Sequence, residues 1–247
     1  MTETTGITKK TGAFTQRLYD LLCDRAAAQA IADIRIGATY LAVRLEDGRV
    51  GLSAVPTAPA VPPARLFAEL RLLIGDNACR LLVRLTERGN PWNKALALAA
   101  GNALIPQDRS DFIGDALESF KVTAADSVVM VGRFSPLLER IAATGALLTV
   151  LEKDPAKGLV LSEKERREVL RRADIALITA TTLLYDSLEE ILADLGSPRH
   201  VSLLGPSTPM LPELFSHTPV THLGGVRIKE AAAVLDIVAA GGGTRAM

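Results

Sequence analysis

The residues best suited to chemistry fall in three short loops in the second half of the sequence. Each loop follows an apolar run and combines glycine, hydroxyl or guanidinium groups. Hydroxyls, backbone amides and one guanidinium together suit an anionic or polar ligand. For any single hydroxyl, capping of a helix N-terminus is the competing interpretation. The loops are Gly132-Arg133-Phe134-Ser135, Thr179-Ala180-Thr181-Thr182 and Gly205-Pro206-Ser207-Thr208.

The first loop invites comparison with a dinucleotide site. Glu152 stands 20 residues after Gly132, where an acidic residue binds the ribose in dinucleotide-binding folds. However, Phe134 occupies the position where a second glycine is needed for close approach to a pyrophosphate. An ordinary NAD site is therefore disfavoured. Glu152 remains a candidate acceptor for a hydroxyl or amine, with a solvated carboxylate beside Lys153 as the alternative.

Metal and nucleophile motifs are sparse. His217 and His222 are weak metal candidates, because their spacing matches no common zinc motif. Cys23 and Cys79 lack CxxC spacing and are interpreted as reduced core thiols. The sequence contains no GxSxG, HExxH or Walker-type loop. The residues alone therefore identify no cofactor and no catalytic group.

The elements that must position the three loops form an alternating pattern. Apolar runs separated by helical segments predict a parallel, doubly wound sheet with helices on both faces. Ligands of such sheets bind beyond the carboxyl ends of the strands, where these loops lie. Helix starts are predicted at Ser135, Ser162 and Ser187, and left-handed glycine caps at Gly145, Gly196 and Gly241. The strands are predicted at 127–131, 146–151, 174–178, 200–204 and 220–223.

The first half has a different pattern, which predicts an α+β domain. A helix with Phe14, Leu18, Leu21 and Leu22 on one face precedes a hairpin that turns at Asp47-Gly48. The proline-rich stretch 57–64 is predicted to be a surface connection. Helices are then predicted at 64–74, 78–87 and 93–105, and the domains at 1–110 and 111–247.

Composition narrows the class of protein. The 247 residues carry 28 basic and 28 acidic side chains, and 48% are hydrophobic, which opposes disorder. A zero net charge does not favour nucleic-acid binding. No apolar run approaches the length of a bilayer span, so we expect a cytoplasmic protein without a membrane partner.

Several segments resemble the DUF364 family, whose suggested role is heavy-metal chelation. These are VGRFSP at 131–136, VLEKDP at 150–155, ADIALITATTL at 173–183, LLGPSTPMLP at 203–212 and the ending AAGGGTRAM. Upstream, IGATYLAVRL, GRVGLS and LALAAGNAL resemble its companion DUF4213 domain. The resemblance implies an enolase N-terminal-like domain followed by a Rossmann-like domain, with the site between them and a heavy-metal ion as a candidate cofactor.

The resemblance also nominates ligand-binding residues. Asn102 of the first domain would face the loops of the second, while Tyr185 and Ser187 stand where the family has an Asn and a Thr. The nominated set is Asn102, Gly132, Arg133, Phe134, Glu152, Thr179, Thr182, Tyr185, Gly205, Pro206, Ser207 and Thr208.

Three functions follow as hypotheses. The first is binding of a small polar ligand, a metal or a metal chelate in the interdomain cleft, with Arg133 neutralising an anionic group. The second is an enzyme acting on a nucleotide-like or amino-acid-derived molecule, with Glu152 or Tyr185 handling a proton. The third is a structural subunit with a vestigial cleft. A homodimer is compatible with all three.

Overall fold

The computed structural model describes residues 13–57, 64–106, 116–152 and 154–243. Most of the predicted connection at 57–64, the boundary at residue 110, Lys153 and the last four residues lie outside these ranges. The division into domains at 110 therefore stays a prediction.

A three-stranded antiparallel sheet forms the centre of the first half. Its order is β1-β2-β3, and the hairpin predicted at Asp47-Gly48 is confirmed, since Gly48 has a φ of 88° between β2 and β3. The pattern did not predict β1, because Asp33 and Arg35 interrupt its apolar residues on a half-exposed edge strand. The strands are β1 (Ile31–Ile36), β2 (Tyr40–Leu45) and β3 (Val50–Ala54).

Helices cover one face of this sheet. Helix α4 lies so close to β3 that a Cβ on Gly51 would stand 2.1 Å from the carbonyl oxygen of Ala99. Glycine is therefore required on the strand for this contact. The helices are α1 (Ala13–Ala27), α2 (Ala64–Leu72), α3 (Cys79–Leu82) and α4 (Pro91–Leu104), with a 3-10 turn at Val83–Thr86. Leu21, predicted on the buried face of α1, is 40% exposed.

The second half contains the predicted parallel sheet. Its five strands are all parallel in the order β5-β4-β6-β7-β8, the 2-1-3-4-5 order of one doubly wound class. The strands are β4 (Ser127–Val131), β5 (Leu147–Leu151), β6 (Ile175–Thr179), β7 (His200–Leu204) and β8 (His222–Gly224). The helices are α5 (Ala116–Phe120), α6 (Ser135–Ala143), α7 (Glu163–Arg171), α8 (Leu188–Asp194) and α9 (Pro212–Phe215), with a 3-10 turn at Ala180–Leu183.

The predicted helix caps are partly confirmed. Ser162 and Glu165 form the capping box of α7, and Gly145 and Gly241 have the positive φ of left-handed caps. The helix starts at Ser135 and Ser187 are also confirmed, because α6 begins at Ser135 and Ser187 is the N-cap residue of α8. Neither serine caps its helix through its side chain, since the N-cap of α6 is Phe134 and Ser187 makes no cap bond. The left-handed cap predicted at Gly196 was wrong, because Gly196 lacks a positive φ. A Cβ on Gly196 would stand 2.2 Å from the carbonyl oxygen of Arg171, so close packing requires this glycine.

The two halves share a core. Helix α10 (Ala231–Ala239), at the end of the second half, packs on the face of the first sheet opposite α4, where Val238 joins Ala42 and Leu52 in one apolar cluster. A larger cluster runs from α1 and α4 into the parallel sheet. The halves are therefore packed together from both sides of the first sheet. Within the described ranges, no helix has the length and apolar character needed to span a bilayer.

Candidate functional site

A cavity of about 780 Å³ lies where two edge strands, β3 of the first sheet and β8 of the second, approach each other. We call it the β3–β8 cavity. Residues from both halves line it, including the loops at the carboxyl ends of β7 and β8. Its polar and charged lining residues among the described ranges are Asn102, Thr208, Ser216, Thr218, Thr221, His222, Arg227 and Lys229.

Asn102, in the last turn of α4, joins the two halves at this cavity. Its Nδ2 donates to the carbonyl oxygen of Leu52 at 2.9 Å and to that of Pro206 at 3.3 Å. Its Oδ1 is buried and has no hydrogen-bond partner among the described residues. Because buried polar atoms are normally paired, an unpartnered acceptor on a cavity-lining residue suits a ligand that donates a hydrogen bond.

The loop after β7 contacts the edge of β3. Ser207 is 1% exposed, and its Oγ accepts a hydrogen bond from the backbone N of Ala54 at 2.8 Å. Thr208 is also buried, and its hydroxyl donates to the carbonyl oxygen of Gly224 at 3.3 Å. Gly205 has a φ of 115°, which favours glycine in this turn. Ser207 therefore links the halves, whereas Pro206 and Thr208 line the cavity.

His222 lies at the start of β8 and lines the cavity. Its ring meets Phe120 edge-on, while His200 stacks on the same phenyl ring. Burial, and secondarily the neighbouring His200, lower the pKa of His222, so the neutral imidazole predominates near pH 7. The Nδ1 of His222 and the Oγ of its neighbour Ser202 are buried without hydrogen-bond partners among the described residues.

The charges around the cavity are of one sign. Arg227 and Lys229, on the chain that follows β8, both line it and are exposed. The lining within the described ranges contains no aspartate, glutamate or cysteine. The cavity therefore presents positive charge, a buried acceptor and an imidazole, a combination suited to an organic anion.

The other predicted loops meet at the switch point between β4 and β6. Gly132 has a φ of 84°, and a Cβ there would stand 2.6 Å from the Thr179 methyl group. The backbone N of Arg133 donates to the Glu152 carboxylate at 2.8 Å, and the backbone N of Thr181 donates to the Thr179 hydroxyl. We call Gly132, Arg133, Glu152 and Thr179 the switch-point cluster. The amides of Arg133 and Thr181 are therefore already bound to side chains of the protein.

The remaining predicted residues make structural contacts. The backbone N of Phe134 donates to the sulfur of Met130, and the hydroxyl of Thr182 donates to the carbonyl oxygen of Thr179. The hydroxyl of Tyr185 accepts a hydrogen bond from the backbone N of Thr57 at 2.9 Å. Tyr185 therefore joins the halves on the β6 side.

The structure thus divides the predicted site. Of its members, the β3–β8 cavity includes Asn102, Pro206, Thr208 and His222, with Gly205 and Ser207 in the adjoining loop. Away from the cavity lining are Gly132, Arg133, Phe134, Glu152, Thr179, Thr182, Tyr185 and His217.

A metal pair of His217 and His222 is not supported. The neighbour that shifts the pKa of His222 is His200, and His217 lies on an exposed turn. Among the residues that the structure describes, no three histidine, cysteine or acidic side chains cluster as metal ligands. Cys23 and Cys79 are free thiols, as predicted, but both are half-buried and not core residues.

Sequence reasoning missed Arg227 and Lys229. They follow the glycine pair Gly224-Gly225 at the carboxyl end of the fifth strand of the parallel sheet. The same edge rule that selected the other three loops applies to this fourth loop. Its two basic residues after a glycine pair were the available signal.

Comparison with known proteins identifies the family. The DUF364 profile matches residues 115–247 and the DUF4213 profile matches residues 19–105, both described as "Putative heavy-metal chelation". The chain belongs to the DUF364 family. An uncharacterised protein of Methanocaldococcus jannaschii is 29% identical over 104 residues, which are 41% of this chain. The match spans 40% of that relative's length.

Two solved DUF364 structures share the whole fold. The protein from Pyrococcus horikoshii has a TM-score of 0.78 and 17% identity, over 94% of this chain and 95% of its own. The protein from Desulfitobacterium hafniense has a TM-score of 0.74 and 22% identity, over 92% of each chain. Both are proteins of unknown function, and at these identities they establish the DUF364 fold alone. A muconate cycloisomerase from Azorhizobium caulinodans reaches a TM-score of only 0.27, so the enolase N-terminal-like class of the first domain stays a prediction.

Proposed function

We propose that this protein binds an organic anion in the β3–β8 cavity, and that a metal ion enters the cavity as part of an anionic chelate. The observation that carries the proposal is the combination of Arg227 and Lys229 with the unpartnered Oδ1 of Asn102. Buried acceptors and convergent cations are typical of small-molecule sites.

The acceptor narrows the class of ligand. Asn102 Oδ1 can bind only a group that donates a hydrogen bond, such as a hydroxyl or an amine. The two cations favour carboxylate or phosphate groups. A hydroxycarboxylate or aminocarboxylate carries both kinds of group. Such molecules also chelate metal ions, which agrees with the description of the family.

A bare metal ion fits the lining poorly. Soft metals prefer thiolates and hard metals prefer carboxylates, but the described lining offers one imidazole, His222, and one thioether, Met210. The adjacent Arg227 and Lys229 would also repel a cation. An anionic chelate avoids both difficulties because it brings its own ligands and negative charge.

Isothermal titration of the full chain with citrate tests the proposal. Tricarballylate, which lacks only the hydroxyl of citrate, is the matched probe for the acceptor Oδ1. We expect citrate to bind, and tricarballylate to bind about 10-fold more weakly because the buried acceptor stays unpaired. Nitrilotriacetate and its nickel complex extend the test to an aminocarboxylate and a chelate.

Two charge variants locate the binding. Lys229→Gln removes a cavity cation, whereas Arg133→Gln removes an exposed cation of the switch-point cluster. We expect K229Q to weaken citrate binding about 5-fold and R133Q to leave it unchanged. Absence of binding by all four probes, or equal loss in both variants, would contradict the proposal.

A further inference from the structure

The chain's two cysteines meet in the folded protein. Cys23 is on α1 and Cys79 begins α3, 56 positions later in the sequence. The Sγ of Cys79 lies 3.7 Å from the carbonyl oxygen of Cys23. Since the sequence has only these two cysteines, their meeting is a specific feature of the fold.

The side chain of Asn77 holds together the backbone segments that carry the two cysteines. The Nδ2 of Asn77 donates to the carbonyl oxygen of Ala27 at 2.6 Å, at the end of α1. The Oδ1 of the same Asn77 accepts a hydrogen bond from the backbone N of Cys79 at 2.9 Å. Asn77 therefore ties the start of α3 to the end of α1. The backbone segments that carry the two cysteines are therefore held together without a ligand, which reduces the entropy cost of binding.

The surroundings of the pair suit a cation. Both thiols are free and half-buried, so solvent ions can reach them. The Sγ of Cys23 lies 3.4 Å from the carbonyl oxygen of Asp20 and 3.9 Å from the Asp24 carboxylate. These oxygens place negative charge beside the sulfur, and neither cysteine lines the β3–β8 cavity.

We propose that Cys23 and Cys79 form a two-thiolate site for a soft, linearly coordinating cation such as Hg²⁺ or Cu⁺. Thiolates select soft metals, and two ligands satisfy an ion that prefers linear coordination. On binding, each S–H bond breaks, its proton passes to solvent, and two metal–sulfur bonds form. No oxidant or reductant takes part.

Because both thiols lose their protons when the metal binds, the affinity of the site depends on pH. Burial, and then the neighbouring Cys23, raise the pKa of the Cys79 thiol, and each cysteine binds the metal only as a thiolate, without its proton. The metal must displace these protons. We expect the affinity of the site for Hg²⁺ to rise as the pH is increased from 6 to 8.

The test titrates the reduced full chain with Hg²⁺ while free thiols are counted. We expect one Hg²⁺ per chain, with both thiols becoming unreactive to a thiol reagent together. In the presence of a monothiol competitor, Cys23→Ser and Cys79→Ser should each weaken binding by about 100-fold or more, because the second sulfur is lost. Circular dichroism checks that each variant remains folded.

The number of Hg²⁺ ions bound per wild-type chain tests the two-thiolate site even if a variant fails to fold. Two Hg²⁺ ions per wild-type chain, or one thiol still reactive after one equivalent, would show two independent cysteines and overturn it. Equal affinity of the wild type and either serine variant would do the same. The titration contains no organic anion, so its outcome is independent of the β3–β8 cavity.

Discussion

Two regions near the carboxyl edge of the parallel sheet contain similar polar residues and differ in whether a buried acceptor is left unpaired. In the switch-point cluster, Glu152 binds the backbone N of Arg133 and Thr179 binds that of Thr181. In the β3–β8 cavity, Asn102 Oδ1 is unpartnered among the described residues, beside exposed cations. Polar residues at a strand end therefore do not themselves mark a site. The informative feature is whether other groups of the protein already bind them.

The largest effect on stability is expected from the ion pair that joins the two halves on the β6 side. Lys94 of α4 is 1% exposed and pairs with Asp186, which follows the 3-10 turn after β6. Asp186→Asn would leave the buried Lys94 ammonium without its countercharge, and we expect a loss of about 3–5 kcal/mol in urea denaturation. Asn tolerates the positive φ of 51° at this position, so the backbone should be little affected.

The partner variant provides the control. Lys94→Met leaves Asp186, whose side chain is 17% exposed and can still be hydrated, so we expect a smaller loss than in D186N. The double variant should lose less than the sum of the two, because the pair is removed together. If D186N lowered the stability less than K94M, the ion pair would not be an important link between the two halves on this side.

The second largest effect on stability is expected at Gly132 of the switch-point cluster, and Gly205 beside the cavity provides the comparison. Gly132→Ala requires a Cβ 2.6 Å from the Thr179 methyl at a φ of 84°, and we expect a loss of about 2–4 kcal/mol. Gly205→Ala has the strained φ but no atom within 4 Å of the new Cβ, so we expect about 1–2 kcal/mol. Urea denaturation measures both.

A rescue variant separates the close contact with Thr179 from the backbone strain at the positive φ. Thr179→Ser removes the methyl and keeps the hydroxyl, but the Thr179 Cβ stays 2.9 Å from the new Cβ, so the G132A/T179S pair should recover only part of the loss. No recovery would mean that the contact with the Thr179 methyl contributes little to the destabilisation of G132A.

Local patterns predicted the fold better than the site. Four of the parallel strands were predicted because each is a mainly apolar run, whereas β8 (His222–Gly224) only overlaps the strand predicted at 220–223. The Ser162–Glu165 box was predicted because its interactions span three residues. Arg133 was assigned to the site by its place in a loop. Its contact with the backbone of Lys157, and the approach of β3 to β8, depend on tertiary packing that spacing does not contain. Arg227 and Lys229 were missed although their loop also follows a strand of the parallel sheet, so the rule that selected the other loops applied to it as well.

A smaller effect is expected from the hydroxyl that joins the β7 loop to β3. Ser207→Ala would leave the backbone N of Ala54 without its acceptor, and we expect a loss of about 1–3 kcal/mol by urea denaturation. Ser53→Ala is the matched control, because Ser53 is equally buried but leaves that bond intact, and it should cost less than 1 kcal/mol. Equal losses in the two variants would show that Ser207 is not a specific link at the cavity.

The smallest expected effect is the acid sensitivity of the cavity. The pKa of His222 is lowered by burial and then by His200, while the unfolded chain takes up a proton near its ordinary value of about 6.5. The unfolded state therefore binds more protons, and stability falls as the pH decreases from about 6.5 through the lowered pKa of the folded state. The loss from Asp126, whose pKa is lowered chiefly by its hydrogen bond from Arg199, belongs to more acidic conditions.

Urea denaturation at pH 7.5 and 5.5 measures this sensitivity. We expect His222→Gln to reduce the loss, and His217→Gln, an exposed histidine outside the cavity, to retain the parent behaviour.

Citrate tests whether the anion binds beside His222. An anion beside His222 would favour the protonated imidazole, so saturating citrate should reduce the acid-induced loss in the parent and have little such effect in H222Q. A citrate effect of the same size in both proteins would place the anion away from His222.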